Sequence, residues 1–293
     1  MTAMPPMDSL IWDATFPLLR LEGSGCAGFL HGQTSASVNG ASEGKLIPAC
    51  WLNATGRVQA LLEIRLDDAG ADVLVLHGDA DLVIRGFDRV IFPADRVRLG
   101  PKREQRRLQR LQQGQLPATD AVLWLDDGAE PPTTWEAPTS SSAQLLEAWR
   151  MREGWPLSDA ELNGDTNPFE LGLAHWVKLD KGCYLGQETV AKLASRGGVK
   201  QQLRSWRSTT AFEEPRLESG DRLSLKAERA GVITSAARDP QSGQWFGLAL
   251  VRRQALDVEK LDAGTEAIPL NLQRPGGSVS YTHLRAHETE ENR

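Results

Sequence analysis

Two strand-like segments joined by a short turn constrain the fold more than any other feature of the chain. In residues 61–66, LLEIRL, apolar side chains alternate with Glu63 and Arg65, which is the period of a strand with one buried face. Residues 67–70, DDAG, predict a turn, and residues 72–78, DVLVLHG, predict the return strand. Because so short a connection joins antiparallel neighbours, the sequence favours an α+β fold over a doubly wound parallel sheet.

Two further segments predict helices around these strands. Residues 24–33, SGCAGFLHGQ, predict a helix that Ser24 caps and Gly32 ends. Residues 141–154, SSAQLLEAWRMREG, predict a second helix that ends at Gly154. Short helices interleaved with hairpin-connected strands are typical of the α+β class.

Beyond residue 200 the pattern consists of short apolar strands separated by turns. Residues 239–243, DPQSG, predict a hairpin turn between GVITSAA and WFGLALV. A small closed barrel buries such strands without leaving open edges. We therefore expect an N-terminal α+β subdomain over residues 8–125, a second α+β segment over 140–204 and a C-terminal β-barrel over 205–275.

The composition argues against several function classes. The net charge of −6 provides no general attraction to nucleic acid or to anionic membranes. The chain has no apolar run long enough for a transmembrane helix and no signal-peptide pattern at its start, so we expect a cytoplasmic protein. Its few cysteines and histidines lack the spacing of a disulfide framework or a metal site, so no stable metal is predicted. Residues 276–293 resemble translated sequencing-adaptor sequence and are predicted to be a non-native tail.

Residues 95–115 are rich in arginine and lysine. A basic run of this kind can bind RNA or phosphate. Because no aromatic side chains are interleaved with the cations, we predict a solvated helix face instead. An RNA partner is therefore the less favoured alternative.

Residues 181–190, KGCYLGQETV, place a cysteine in a run of glycines and polar residues. Gly186 permits a tight turn, and the residues after it are typical of the first turn of a helix. Cys183 would then lie just before a helix N-terminus and beside Lys181, and both features favour the thiolate. A buried structural cysteine is the alternative, and the spacing does not decide between the two.

This segment resembles the K-G-C-Y-x-G-Q-E signature of the YgfZ family, whose members bind folate and act in the assembly or repair of iron–sulfur clusters. The resemblance extends to residues 29–38, FLHGQTSASV, and to residues 48–66. It implies a folate-binding accessory protein that has iron–sulfur enzymes or cluster carriers as partners and Cys183 as its essential group. It also implies motif or ligand-binding roles for six neighbours, of which the tyrosine is expected mainly to pack: Lys181, Gly182, Tyr184, Gly186, Gln187 and Glu188.

The YgfZ family is related to the glycine-cleavage T protein, and residues 150–157, RMREGWPL, resemble an element of that enzyme. This relation implies a three-domain cloverleaf in which two α+β subdomains and a small C-terminal β-barrel surround a channel for tetrahydrofolate. By the same resemblance, folate contacts are expected from four residues: Gln33, Arg57, Arg150 and Arg152.

Two departures from the T protein bear on the activity. Arg152 stands where that enzyme carries a glutamate that helps to hold the folate pterin, and a permanent cation cannot accept a hydrogen bond. The residues from Cys183 to Gly186 stand where it carries a D-F-x-G stretch. Both departures count against aminomethyl or other one-carbon transfer, which is the alternative function.

Overall fold

The computed structural model describes residues 10–111, 121–135, 142–196 and 198–275. The predicted non-native tail, residues 276–293, lies outside the described residues. In the described part, the chain forms one large antiparallel sheet, four α-helices and a closed β-barrel.

The N-terminal sheet has seven strands within the described ranges, in the order β2-β3-β4-β1-β6-β7 with β5 beside β1. The predicted hairpin is confirmed, because β3 and β4 pair directly across a turn that Asp67 and Gly70 close. All neighbouring strands are antiparallel, and the short connections require this for β2–β3 and β3–β4. The strands are β1 (Leu10–Glu22), β2 (Leu46–Leu52), β3 (Val58–Asp67), β4 (Gly70–His77), β5 (Arg98–Leu99), β6 (Arg103–Leu111) and β7 (Val122–Leu125).

Both faces of this sheet are covered. Helices α1 (Cys26–Gln33) and α2 (Ala80–Asp88) pack on one face, where Phe87 is fully buried. The segment that carries α3 (Ala143–Glu153) and α4 (Gln187–Arg196) covers the opposite face with a set of tryptophan and leucine side chains. The sheet therefore lies in the middle of the molecule with an apolar core on either side.

The helix ends follow simple capping rules, with one exception. Helix α1 begins at Cys26 without any side-chain cap, so the predicted cap at Ser24 is wrong. In α3, the Ser142 hydroxyl accepts a hydrogen bond from the Leu145 N–H at 3.3 Å. Gly154 ends α3 in the left-handed conformation, with φ of 76°, as the sequence predicted.

The basic segment is a pair of strands, so the helix predicted for residues 95–115 is wrong over its described part. In β6, Arg107 is fully buried and donates from Nε and Nη2 to the two carboxylate oxygens of Glu63, at 2.8 and 2.6 Å. Trp124 Nε1 donates to the same carboxylate at 3.1 Å. A buried arginine is stable only when its charge is paired, and only the fold supplies this partner. Further cations of the segment also pair with acids: Arg98 with Glu22, Lys102 with Asp81, Arg103 with Asp72 and Arg106 with Asp13.

The C-terminal part is the predicted closed β-barrel, with strand order β10-β11-β8-β13-β12-β9. The predicted hairpin joins β10 to β11, and Asp239 N–H donates to the Gln244 carbonyl at 2.8 Å across it. The barrel strands are β8 (Gln201–Ala211), β9 (Arg222–Leu225), β10 (Glu228–Arg238), β11 (Gln244–Arg252), β12 (Lys260–Ala263) and β13 (Ile268–Gln273).

Helix α3 joins the barrel to the sheet. Its Ala148 and Met151 pack on Phe246, Leu248 and Leu250 of β11. The residues just beyond α3 belong to the core that covers the sheet, so one helix contacts both halves of the molecule. No helix in the described ranges is both long enough and apolar enough to cross a membrane.

Candidate functional site

The K-G-C-Y segment is a loop held against the C-terminal end of α1. At one end of the loop, Lys178 N–H donates to the Ser35 carbonyl at 2.9 Å. At the other end, Leu185 N–H donates to the Gly32 carbonyl at 3.2 Å. These two backbone hydrogen bonds fix both ends of residues 178–185, which we call the motif loop.

Lys181 anchors the middle of the motif loop. Its buried ammonium donates to the carbonyls of His31 at 2.5 Å, Thr34 at 2.6 Å and Ala36 at 2.6 Å. Carbonyls at and beyond a helix C-terminus lack intrahelical partners, so one cation satisfies three of them. The same ammonium lies 4.7 Å from the centre of the Tyr184 ring, and burial lowers the pKa of Lys181 to about 8. Lys181 therefore clamps the motif loop to the C-terminal end of α1.

Cys183 is exposed to solvent between these anchoring points, whereas Cys26 and Cys50 are buried. Burial raises the pKa of the Cys50 thiol to about 12 and also raises the pKa of Cys26. All three cysteines lie in the described ranges, and Cys183 is the one that a partner or reagent reaches without unfolding the protein. Helix α4 begins four residues later, at Gln187.

Gly186 directly follows the motif loop and lies against the turn between β2 and β3. It has φ of 82°, and a Cβ placed on it would lie 2.6 Å from the Asn53 carbonyl oxygen and 3.0 Å from the Gly56 Cα. Gly56 has φ of 72° and faces Thr189 and the Gly186 carbonyl in return. Two facing glycines let two backbones approach closely, which explains this residue type at both positions.

Three other motif residues have distinct environments. Tyr184 is buried in the core beside Cys50, and burial raises its pKa to about 12. In the described residues its hydroxyl finds no hydrogen-bond partner. Gln187 donates from its amide to the Lys181 carbonyl at 3.3 Å, so it closes the turn into α4. Glu188 is exposed in the first turn of α4, where a negative charge is favoured by the helix dipole.

His31 is a residue of this site that the sequence did not predict. Its Nδ1 accepts hydrogen bonds from the N–H groups of Val38 and Asn39, both at 3.3 Å, which leaves the proton of the neutral ring on Nε2. That Nε2 lies 4.0 Å from the position a Cβ would take on Gly182. Burial and the nearby Lys181 charge both lower the pKa of His31, so the neutral ring predominates at neutral pH. The one signal in the sequence was its place in the FLHGQ segment.

The four predicted folate contacts do not form one cluster. Gln33 is half-buried at the end of α1, next to the residues that hold the motif loop. Arg57 lies in the β2–β3 turn, and its Nη1 is 3.3 Å from the Glu170 carboxylate. Arg150 and Arg152 lie in α3, beside the barrel.

Arg150 is a buried structural cation. It donates from Nη1 to Glu161 at 2.9 Å and to the Trp155 carbonyl at 3.0 Å, and from Nη2 to the Ser235 hydroxyl at 2.7 Å. Its Nε and Nη2 also pair with Glu147. All five N–H groups of the guanidinium are thus used within the protein.

Arg152 points to the barrel side of α3. Its guanidinium lies 5.2 Å from the Phe246 ring centre, and Nη2 is 3.5 Å from the Asp239 carboxylate. Arg207 of the barrel flanks the same ring at 5.7 Å and the same carboxylate at 3.7 Å. Two cations around one ring and one carboxylate hold α3 on the barrel.

A cavity of about 270 Å³ lies between β1, β6 and α3. Its walls include the aromatic side chains of Trp12, Trp149 and Trp155. The Trp155 ring also packs edge-on against the Trp176 ring, with 5.8 Å between the ring centres. Trp176 lies two residues before the motif loop. Flat aromatic walls of this kind suit a planar heteroaromatic ring.

Metal-ligating side chains do not converge in the described ranges. There, no three histidine, cysteine, aspartate or glutamate residues form a group that could hold a metal ion.

No protein-family model matches this chain. A chloroplastic protein of Arabidopsis thaliana that carries the provisional name of a transferase is 26% identical across 83% of this chain and 65% of its own length. An aminomethyltransferase of Moorella thermoacetica is 34% identical across 35% of this chain and 27% of its own length. One of Saccharopolyspora erythraea is 31% identical across 49% of this chain and 42% of its own length.

The structural comparison covers more of the chain than these sequence matches do. The aminomethyltransferase T of the glycine cleavage system from Bartonella henselae superimposes with a TM-score of 0.68 at 15% identity, over 94% of this chain and 87% of that one. This confirms the predicted α+β cloverleaf with a C-terminal barrel. The chain is therefore homologous to aminomethyltransferases and has their fold, while it spans less than two thirds of the length of each sequence relative named above.

Proposed function

We propose that this chain is a YgfZ-type protein that binds tetrahydrofolate and supports the assembly or repair of iron–sulfur clusters through the thiol of Cys183. The observation that carries the proposal is the presentation of this thiol. It is exposed on a loop that is fixed at both ends and at Lys181, while the other two cysteines are buried. A fixed, accessible thiol is what a reaction at sulfur or an iron ligand requires.

The chain's own residues prepare Cys183 for such chemistry. The Lys181 clamp limits the motion of the loop, so the thiol keeps one position relative to an approaching protein. His31 keeps its proton on Nε2, which lies 4.0 Å from the position that a Cβ would take on Gly182, the residue before Cys183. Thiolates are the preferred ligands of iron–sulfur clusters, so a cluster or damaged iron centre of a client protein is a suitable substrate.

The tryptophan-lined cavity fits the ring of tetrahydrofolate. Its volume of about 270 Å³ and its three indole walls suit a planar ring, and Trp12, Trp149 and Trp155 would hold it. When bound, tetrahydrofolate supplies a carrier for one-carbon units. Arg150 supports the wall of this cavity but has no N–H group left for the ligand.

Folate binding can be tested separately from any activity. Tetrahydrofolate should quench the tryptophan fluorescence of the wild type, and a Trp12→Ala variant should bind it about tenfold more weakly, which is the magnitude of one lost aromatic contact. Trp135→Ala is the matched control, because Trp135 packs under Arg110 and does not line the cavity. Equal affinity in wild type and Trp12→Ala would remove the cavity from the proposal.

The cluster role needs a genetic test. Cells that lack their own YgfZ protein would receive the full chain as wild type, as Cys183→Ser or as the control Cys26→Ser, and a radical-SAM enzyme would be assayed after mild oxidative stress. We expect rescue by wild type and by the control but not by Cys183→Ser. Rescue by all three would reduce Cys183 to a structural role. Failure of all three, with folded protein present, would contradict the cluster role.

Aminomethyl transfer is the second candidate, and it is favoured by the aminomethyltransferase homology and fold. Two features argue against it: Cys183 replaces the T protein's aspartate, and Arg152 is tied to Asp239 and Phe246 instead of offering an acceptor. Formation of methylenetetrahydrofolate from an aminomethyl-loaded lipoyl carrier protein would establish this activity. No product at saturating tetrahydrofolate would exclude it.

We also propose a cytoplasmic location for this chain, whereas the Arabidopsis relative is chloroplastic.

A further inference from the structure

A second cleft, of about 410 Å³, lies where the β2–β3 turn of the sheet meets the barrel. Three cations line it: Arg57 from the turn, Lys200 from the entry to the barrel and Arg252 from the end of β11. The neutral amides of Gln201 and Gln254 also line the cleft and can donate hydrogen bonds. None of these residues belongs to the motif loop or to the tryptophan-lined cavity.

Backbone pairing fixes the arrangement of this cleft. Gln201 and Arg252 are register partners across the β8–β11 ladder. Lys200 accepts a backbone hydrogen bond from Arg253 N–H at 2.9 Å, which closes the strand ends. The cations therefore converge because the barrel and the sheet place them together, and not because they are neighbours in the sequence.

Arg57 has donors to spare in this cleft. Within the described residues, its one side-chain partner is Glu170, through Nη1 at 3.3 Å, which is a long contact for a charge-assisted bond. Glu170 is buried, and its carboxylate also accepts the Asn167 N–H at 3.1 Å, so it is oriented from the protein side. A guanidinium held on one edge presents its remaining N–H groups for a bidentate contact with an oxyanion.

The balance of charge in the cleft is positive. Three cations face the buried Glu170 and the exposed Asp165. Oε2 of Glu170 accepts hydrogen bonds from Arg57 and from the Asn167 N–H, so this carboxylate offsets part of the charge of one cation. Isolated exposed cations are merely solvated, but three that converge with two amides around one half-buried arginine form a donor set suited to an anion.

We propose that this cleft is a binding site for a small oxyanion with at least two negative charges. A phosphate group or a pair of carboxylates, as in a glutamyl chain, has this chemistry. The site is distinct from the Cys183 loop and does not depend on the proposed function. An anion bound here would bridge the sheet and the barrel, so its binding stabilises the folded protein.

The test measures the binding of inorganic phosphate and of glutarate to the full chain by calorimetry and by the shift in melting temperature. The variant Arg57→Gln/Lys200→Gln/Arg252→Gln removes the site. The matched control Lys45→Gln/Lys226→Gln/Lys260→Gln removes the same charge from exposed positions elsewhere. We expect saturable millimolar binding that the first variant loses at least about tenfold, which is the effect of one lost charge-assisted bond or more, and that the control keeps.

A third variant makes the proposal more specific. Glu170→Gln removes the internal competitor of the anion and frees Arg57, so it should tighten binding by about threefold or more. Binding of phosphate but not glutarate would indicate a phosphorylated ligand. Binding of both probes would indicate that the site accepts either a phosphate group or a pair of carboxylates. No saturable binding of either probe, or equal loss in the control variant, would overturn the site.

Discussion

Substitution of Gly186 by alanine tests whether the motif loop depends on close backbone approach. The residue combines φ of 82° with a Cβ position only 2.6 Å from the Asn53 carbonyl oxygen. A left-handed alanine costs about 1–2 kcal/mol, and forcing a methyl group against backbone atoms costs about 1–3 kcal/mol more. We therefore expect a loss of about 3 kcal/mol in the free energy of unfolding, and a fall in melting temperature of roughly 6–12 °C for a chain of this size.

Gly44 provides the matched control. It has φ of 73°, but nothing lies within 4 Å of the position its Cβ would take. Gly44→Ala should therefore show only the conformational cost, about 1–2 kcal/mol. The difference between the two variants isolates the contact between the motif loop and the β2–β3 turn.

The assay is urea unfolding followed by tryptophan fluorescence, with the melting temperature measured in parallel. If Gly186→Ala lost no more stability than Gly44→Ala, the close approach of the two backbones would be refuted. The same variants can be alkylated at Cys183, because a displaced loop should change the reactivity of that thiol while Gly44→Ala should not.

Other predictions concern single groups. Iodoacetamide should alkylate Cys183 about tenfold faster or more than the two buried thiols in the folded protein, and peptide mass spectrometry showing equal rates would contradict its exposure. Burial raises the pKa of Glu170 above its ordinary value of 4.5, so the folded protein binds this proton more tightly than the unfolded chain does. The free energy of unfolding should therefore fall as the pH rises from 4.5 through the raised pKa. Glu170→Gln should flatten this dependence in urea unfolding measured at several pH values, and an identical slope would refute it. Arg107→Met should cost about 3–5 kcal/mol because it leaves Glu63 charged and buried, whereas adding Glu63→Leu should recover most of the loss in the same unfolding assay.

Strand pairs that are joined by short turns were predictable from the sequence. The turn from Asp67 to Gly70 allows only an antiparallel return, so the pairing of β3 with β4 was predictable. The single buried face predicted for residues 61–66 is wrong, because both faces of the sheet are covered and Glu63 is buried with its apolar neighbours. The barrel hairpin between β10 and β11 was predictable for the same reason. Gly154 was readable as a helix end because few other residues adopt the left-handed conformation at no steric cost.

Strand β6 shows why such patterns fail. Seven of the nine residues in REQRRLQRL are polar, and a run of arginines usually marks a solvated face. In the structure Arg107 is buried because Glu63, on a different strand, neutralises it. Local sequence contains no information on a partner that lies 44 residues away, so the period of this strand was hidden.

The sequence by itself determined the alternation of strands and turns, the presence of a barrel and the position of a cysteine before a helix, because these depend on neighbours within a few residues. The tertiary structure alone decided that Cys183 is exposed, because its spacing in the sequence fits an exposed and a buried thiol equally. It also decided that Lys181 binds carbonyls about 150 residues earlier in the chain. The fold likewise places His31 beside the motif loop and brings Arg57, in the β2–β3 turn, to Glu170. Charge and hydrogen-bond partners act over a few ångströms in space, and only the folded chain sets those distances.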